Sequence, residues 1–305
     1  MTVAALVAAV ASVGIVLPHL LALQRSDPAT ACLLWAAALG LRALVVVGTL
    51  AGTLVLLHPG HLLRAFAEWP CAPHHQVAGH AVAALSGVAL FASLLWAMAR
   101  VMQATFAVRR LVRTPLGRGP EGSVIIGGDD VVLAAAGLAH PTLVVSAGAL
   151  ARLDDAELAA AIAHERAHIR RRHRYVLLYA ELCRVLGRPL PGTQRAVRQL
   201  RFHIERDADR SAVRERADRL ALASAICKAA TGATTRATTR AGMAALGGDG
   251  TAARVRELLQ DVGVGTGRRG LRPLAVAVAT LAVAAALSLP SVVSGLGDPV
   301  VLCGG

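Results

Sequence analysis

The sequence predicts a mainly α, polytopic membrane protein with four transmembrane helices and a cytoplasmic α+β domain, a small antiparallel sheet packed on helices. Three observations lead there. Hydrophobic residues make up 55% of the 305 positions, with a mean hydropathy of +0.56, above the range of ordinary soluble domains. That excess is concentrated in four long apolar stretches. The net charge of +13 lies wholly between the third and the fourth, because outside residues 100–272 Arg25, Arg42 and Arg64 are balanced by Asp27, Glu68 and Asp298.

Residues 3–23, 31–57, 77–99 and 273–296 each approach or exceed the roughly 20 apolar residues that cross a bilayer core. The start, MTVAAL, lacks the basic n-region of a secretory signal, so the first stretch reads as a retained helix. Arg42 interrupts the second; an arginine at membrane depth must face protein or water, and here it is expected to shape helix packing. Arg100, Arg109, Arg110 and Arg113 on one side, and Arg268, Arg269 and Arg272 on the other, place the intervening segment in the cytoplasm by the positive-inside rule. The resulting organisation is a three-helix membrane region at 1–99, a cytoplasmic domain at 100–267, and a final transmembrane helix with a short tail at 268–305. Both termini are then outside the cell membrane.

A basic domain beside an anionic leaflet accounts for the charge, with membrane lipid as a partner. Nucleic acid is not expected as one. Two tyrosines and four phenylalanines offer no base-stacking platform, and no groove-reading motif is present. Five cysteines include no CxxC pair. Cys183 and Cys227 fall on the reducing side, whereas Cys71 and Cys303 fall outside and are candidates for a disulfide, with two free thiols as the equal alternative. The histidines of the outer loop, His58, His61, His74 and His75, read as a solvated loop.

Within the cytoplasmic domain, SVIIGGDDVVLAAAG has two short apolar runs around GGDD, a hairpin pattern, and TLVVS at 142–146 adds a third strand. The expectation is a three-stranded antiparallel sheet over 123–146 with an exposed edge strand near 142–146. A helix capped by Asp154 or Asp155 follows and runs without glycine or proline to Gly187. A second helix covers about Thr193 to Ala230, TGATTRATTRAG is a connector, ARVRELLQ a short helix and GVGTGRRG a tether.

The first helix carries AIAHERAHIRRRH. Four residues apart on one helical face, His164 and His168 can reach one ion, and Glu165, one step round, can address a water on it. A catalytic zinc site needs a third protein ligand and an open position. Glu205 in HIERDADR supplies a carboxylate from another helix. Asp209 lies on Glu205's face, placed to accept a hydrogen bond from a ligand histidine, while Asp207 points away. His173, nine residues past His164, is turned from the metal on a continuous helix and reads as a surface residue.

HERAH at 164–168 with ERDAD at 205–209 resembles the HExxH plus ExxAD pattern of the gluzincin membrane metallopeptidases, which include HtpX-like and BlaR/MecR-type proteins. HPTLVVSAGALARLDDAELAAAIAHERAHIRRRH is similar to the segment that brings an edge strand beside their active-site helix. The short gap to Glu205 and three stretches before the domain with one after lean toward the BlaR/MecR type. The similarity covers about 100–260. Sensor members of that group carry an extracellular penicillin-binding domain after the last span, where this sequence has nine residues, so β-lactam sensing is not implied.

The resemblance implies a zincin-like domain and one Zn2+ held by His164, His168 and Glu205, with Glu165 as general base and Asp209 behind the ligands. It implies a zinc endopeptidase acting on a polypeptide, either a cytosolic regulator such as a repressor or a membrane protein in need of quality control. The oxyanion's second donor is open among His203, Arg206 and Arg201. A non-catalytic receptor or scaffold that keeps the zinc for structure is the alternative, and Glu165 speaks against it, since a structural site has no use for a base.

Overall fold

A computed structural model describes residues 15–21, 26–56, 84–100, 115–137, 140–213, 216–232 and 250–260, with Ser12, Leu23, Met102 and Gln103. Helix α1 (Pro28–Leu56) begins behind Asp27, whose carboxylate accepts from the Thr30 N–H at 3.3 Å. Among the described residues α1 is the one helix long and apolar enough to cross a membrane, over Pro28–Ala51. Helix α2 (Ala84–Arg100) is apolar but shorter, and exposes Leu85, Val88, Phe91 and Trp96. Of the expected span at 3–23 only a part is described, and the one at 273–296 lies outside the described residues, as do Cys71, Cys303 and the four outer-loop histidines. Cys32, Cys183 and Cys227 are free thiols.

Much of α1 does not face lipid at all. Leu34, Trp35, Ala38 and Leu39 are buried, and their cluster continues through Ala180 and Cys183 of α5 (His173–Leu186) and Val197, Leu200 and Ile204 of α6 (Thr193–Ala212). Arg42 is buried too. It donates to the Ala38 carbonyl at 3.3 Å and lies 2.9 Å from His19 Nε2, the protein-facing role expected of it.

The sheet has four strands, β1 (Gly117–Arg118), β2 (Val124–Ile126), β3 (Leu133–Ala136) and β4 (Thr142–Ser146), in the order β1-β2-β4-β3. It is mixed, not antiparallel throughout. β2 pairs with β4 in parallel, Val124 against Val144, and β3 pairs with β4 antiparallel, Ala135 against Leu143. GGDD therefore does not close a hairpin. Ser146 Oγ donates to the Asp130 carbonyl at 2.6 Å and accepts from the Val132 N–H at 3.0 Å, and Gly148 N–H donates to the Gly128 carbonyl at 2.8 Å. Those bonds pin the connection across the end of β4, so β4 lies between β2 and β3. The strand at 142–146 is interior, and the edge strands are β1 and β3.

Helix α3 (Ala147–Arg152) starts at Ser146, whose hydroxyl also accepts from the Ala149 N–H, and α4 (Asp155–Arg170) starts at a capping box. There the Glu157 N–H donates to Asp154 Oδ1 at 2.8 Å and the Asp154 N–H to Glu157 Oε2 at 2.9 Å. Glu157 also takes hydrogen bonds from Ser224 Oγ and Lys228 Nζ, each at 2.5 Å, on α7 (Arg216–Gly232). One carboxylate thus caps α4 and ties it to α7. Ala161 and Ile162 of α4 pack with Leu133, Val145, Leu222, Ile226 and Leu258, the last from α8 (Thr251–Leu259).

The two expected long helices are each divided. Arg172 takes the left-handed conformation, φ 55° and ψ 31°, and separates α4 from α5; Val213, extended at ψ 128°, ends α6 ahead of α7. Neither break contains glycine or proline, which is why the sequence reads through both.

Two outcomes follow from this packing. An alanine methyl at Gly148 would overlap the Asp129 carbonyl, so Gly148→Ala should destabilise the fold by about 1–3 kcal/mol in thermal unfolding. Burial raises the Glu157 carboxyl's pKa, but hydrogen bonds from Lys228, Ser224 and the Asp154 N–H outweigh that and hold it below the usual range. Its stabilisation is present above the ordinary carboxylate pKa and lost as pH falls through the depressed folded value. Glu157→Gln should therefore unfold at lower temperature than the unaltered protein at pH 7, with the gap closing on acidification below the usual carboxylate range.

Candidate metal centre

The site forms where α4 meets α6, between the two apolar clusters that fix those helices. His164 and His168, one turn apart on α4, bring their Nε2 atoms to 3.1 Å of each other. From α6, Glu205 places Oε2 at 3.4 Å from His164 Nε2 and Oε1 at 3.7 Å from His168 Nε2. All three residues are buried, and one potential ligand atom from each lies within 4.8 Å of the others. Two imidazole nitrogens and a carboxylate oxygen converging in this way are a donor set that suits a zinc ion with a position left open.

Glu165 is also buried, beside the ligands. Its Oε2 accepts the Ala135 N–H of edge strand β3 at 3.0 Å, while Oε1 has no hydrogen-bond partner among the described residues. A buried carboxylate oxygen without a protein donor calls for a water or a substrate proton there. Burial pushes the Glu165 pKa up to about 8.

Behind the ligands, His164 Nδ1 lies 2.9 Å from Asp209 Oδ1. Asp209 is gripped by a fork from Arg254 on α8, Nε to Oδ2 and Nη2 to Oδ1, both at 2.7 Å, and the third nitrogen, Nη1, lies 3.0 Å from Glu205 Oε2. Burial alone would raise Asp209 and Glu205. The Arg254 charge, together with the His164 contacts, holds both carboxyls below their usual range. His164 is likewise opposed by burial, yet the Asp209 and Glu205 carboxylates raise it to about 9, whereas burial and the neighbouring His164 charge lower His168 to about 3.

Arg254 had not been singled out in the sequence. One signal was available: in TAARVRELL it falls four residues before Leu258, on the side that the short helix buries. The structure also corrects the reading of His173. That residue is buried, with Nδ1 at 3.0 Å from His168 Nδ1 and Nε2 at 3.1 Å from Asp207 Oδ2, because the helix breaks at the left-handed Arg172 instead of continuing. Of the three residues weighed as oxyanion donors, Arg206 forks onto Glu257 at 2.6 and 2.5 Å, His203 lies beside Arg206 at 3.3 Å, and Arg201 faces Glu181 at 4.0 Å. Those contacts direct them to other partners than Glu165 or the ligand cluster.

Residues 107–196 match the sequence model of Peptidase family M48, a stretch that includes β1 to β4 and the whole of α4 and ends before Glu205. The match supports an M48 family metallopeptidase; the finer likeness to the BlaR/MecR type is not carried by it. No curated protein and no solved structure gives a significant match.

Removing the Arg254 fork leaves two buried carboxylates without their counter-charge, so Arg254→Met should lower the affinity for zinc by about 10–100-fold. Competition against a chromogenic chelator reads this directly; an unchanged affinity would show that Arg254 does not hold the ligand carboxylate.

Proposed function

We propose that the chain is a membrane-anchored, zinc-dependent endopeptidase that hydrolyses a polypeptide at the cytoplasmic membrane face. The observation that carries this reading is Glu165, a buried carboxylate with one free oxygen beside a His, His, Glu donor set. His164, His168 and Glu205 would hold the ion. When bound, zinc polarises a carbonyl and brings a water's acidity toward neutral pH.

The chain's own residues supply the rest. Glu165 Oε1 accepts the proton of the attacking water and returns it to the nitrogen of the departing peptide. Burial, which raises the Glu165 carboxyl above its usual range, favours keeping that proton until the amine leaves. Asp209 and Arg254 keep His164 and Glu205 in place throughout.

Strand β3 supports a polypeptide substrate. It is the outer strand beside the site, and the Ala135 N–H that meets Glu165 lies on its open side. An extended peptide adding to β3 would bring a backbone carbonyl to the ligand cluster, with main-chain hydrogen bonds giving affinity and side-chain pockets giving choice. Between a cytosolic regulator and a membrane protein, the second is favoured by α1, which packs its apolar face on the helix that carries Glu205. A substrate tethered to the same bilayer would meet the site without diffusing to it from solution.

Glu165→Gln keeps the shape of the side chain and removes its basicity. Purified in detergent, this variant should bind zinc as the unaltered protein does and lose about 10²–10⁴-fold in cleavage of an unstructured reporter polypeptide. Proteolysis at the original rate would rule out the peptidase reading.

A further inference from the structure

Two carboxylates stand behind the ligand histidines, and only Asp209 touches one directly. The other, Asp207, is two residues earlier on α6 and faces His173. His173 opens α5 after the left-handed Arg172, a break that brings its ring edge-on to His168, with centroids 4.9 Å apart and an interplanar angle of 75°. Asp207 Oδ2 is held in turn by Arg171 Nη1 at 3.0 Å. His168, His173 and Asp207 are 6%, 5% and 6% exposed, so water does not substitute freely for any of these contacts.

We propose that His173 and Asp207 are positioning residues for His168, and that the chain Asp207, His173, His168 fixes the tautomer in which His168 offers Nε2 to a metal ion. The proposal rests on the metal-site reading above. The Asp207 carboxylate can only accept, so His173 donates from Nε2. A neutral imidazole that donates from Nε2 has its lone pair on Nδ1. The 3.0 Å contact between the two Nδ1 atoms then requires His168 to be the donor. His168 is left with its lone pair on Nε2, the atom that faces His164 Nε2 and Glu205 Oε1. For a neutral His173, each link follows from the one before it.

Without the His173 acceptor, the buried Nδ1 proton of His168 has no partner, and the other tautomer, with Nε2 protonated, cannot bind a cation. Both ligand histidines are thus oriented from α6, His164 by a carboxylate directly and His168 through an interposed imidazole.

Leucine and asparagine are nearly the same size, but only the asparagine oxygen can accept at the Nδ1 position, so the pair separates hydrogen bonding from packing. Full-length protein in detergent, stripped of metal, is titrated with zinc against a chelator, and the cobalt(II)-loaded form is followed by its visible spectrum. His173→Leu should weaken zinc binding about 10–100-fold and alter the cobalt spectrum. His173→Asn should recover most of the affinity and the original spectrum. Asp207→Leu should weaken binding comparably, and the double variant with His173→Leu should be no worse than the poorer single one, since both cut the same chain. Should His173→Leu fail to fold, Asp207→Leu, one residue further from the ligand, gives the same reading. Tight zinc binding by the unaltered protein with equal affinity in the folded leucine variants would overturn the proposal and leave the metal site standing, as would additive losses in the double variant. Absence of zinc binding by the unaltered protein would remove the site reading itself, and the proposal with it.

Discussion

Arg254 carries a permanent positive charge where its side chain has no exposed surface, and the negative charges of Asp209 and Glu205 are buried beside it. None of the three could be buried alone, since an unpaired ion removed from water loses several kcal/mol of hydration. Together they satisfy one another through a fork and a single further contact. α6 and α8 are therefore held in one relative position, with Glu205 turned toward α4. The centre depends on this pairing more than on the motif, because His164 and His168 are set by one helix while Glu205 must be brought to them from another.

The same helices explain why the apolar part of the chain reads ambiguously. α1 is long and apolar enough to cross a membrane, yet its first half lies against α5 and α6 with Leu34, Trp35 and Leu39 in a shared cluster. Hydropathy counts apolar residues and does not distinguish a lipid neighbour from a protein one. Arg42, buried against Ala38 and His19, marks the depth to which protein still surrounds the helix. α1, α5 and α6 are one packed unit, so the helix that carries Glu205 shares its core with the long apolar helix.

What the sequence discloses and what it conceals follow physical lines. HERAH, ERDAD, the cap at Asp154 and the order of helices are written in local spacing, and the structure brings His164, His168, Glu205 and Asp209 into one cluster. Features that depend on a chain reversal are not local. The order of the strands turns on hydrogen bonds from Ser146 and Gly148 that hold the GGDD segment across β4, so a pattern suggestive of a hairpin gives a parallel neighbour instead. The break at Arg172 has no glycine or proline to announce it. A left-handed residue with a side chain is uncommon and needs support from its surroundings. Here that support is available in the buried contacts that His173 makes on the far side of the turn.

ERDAD shows how much a single break in a helix changes. On a helix Asp207 and Asp209 point about 200° apart, so they cannot both face ligands that share one side of α4. A continuous helix from Asp155 to Leu186 would leave Asp207 facing away with nothing to orient. Because α4 ends at Arg170 and the helix breaks at Arg172, an imidazole fills the gap between Asp207 and His168, and the second carboxylate gains a path to the site. Arg171, beside the turn, closes on the same carboxylate. The arginine-rich run after HERAH therefore contains both the left-handed hinge that makes this path and the charge that holds its far end.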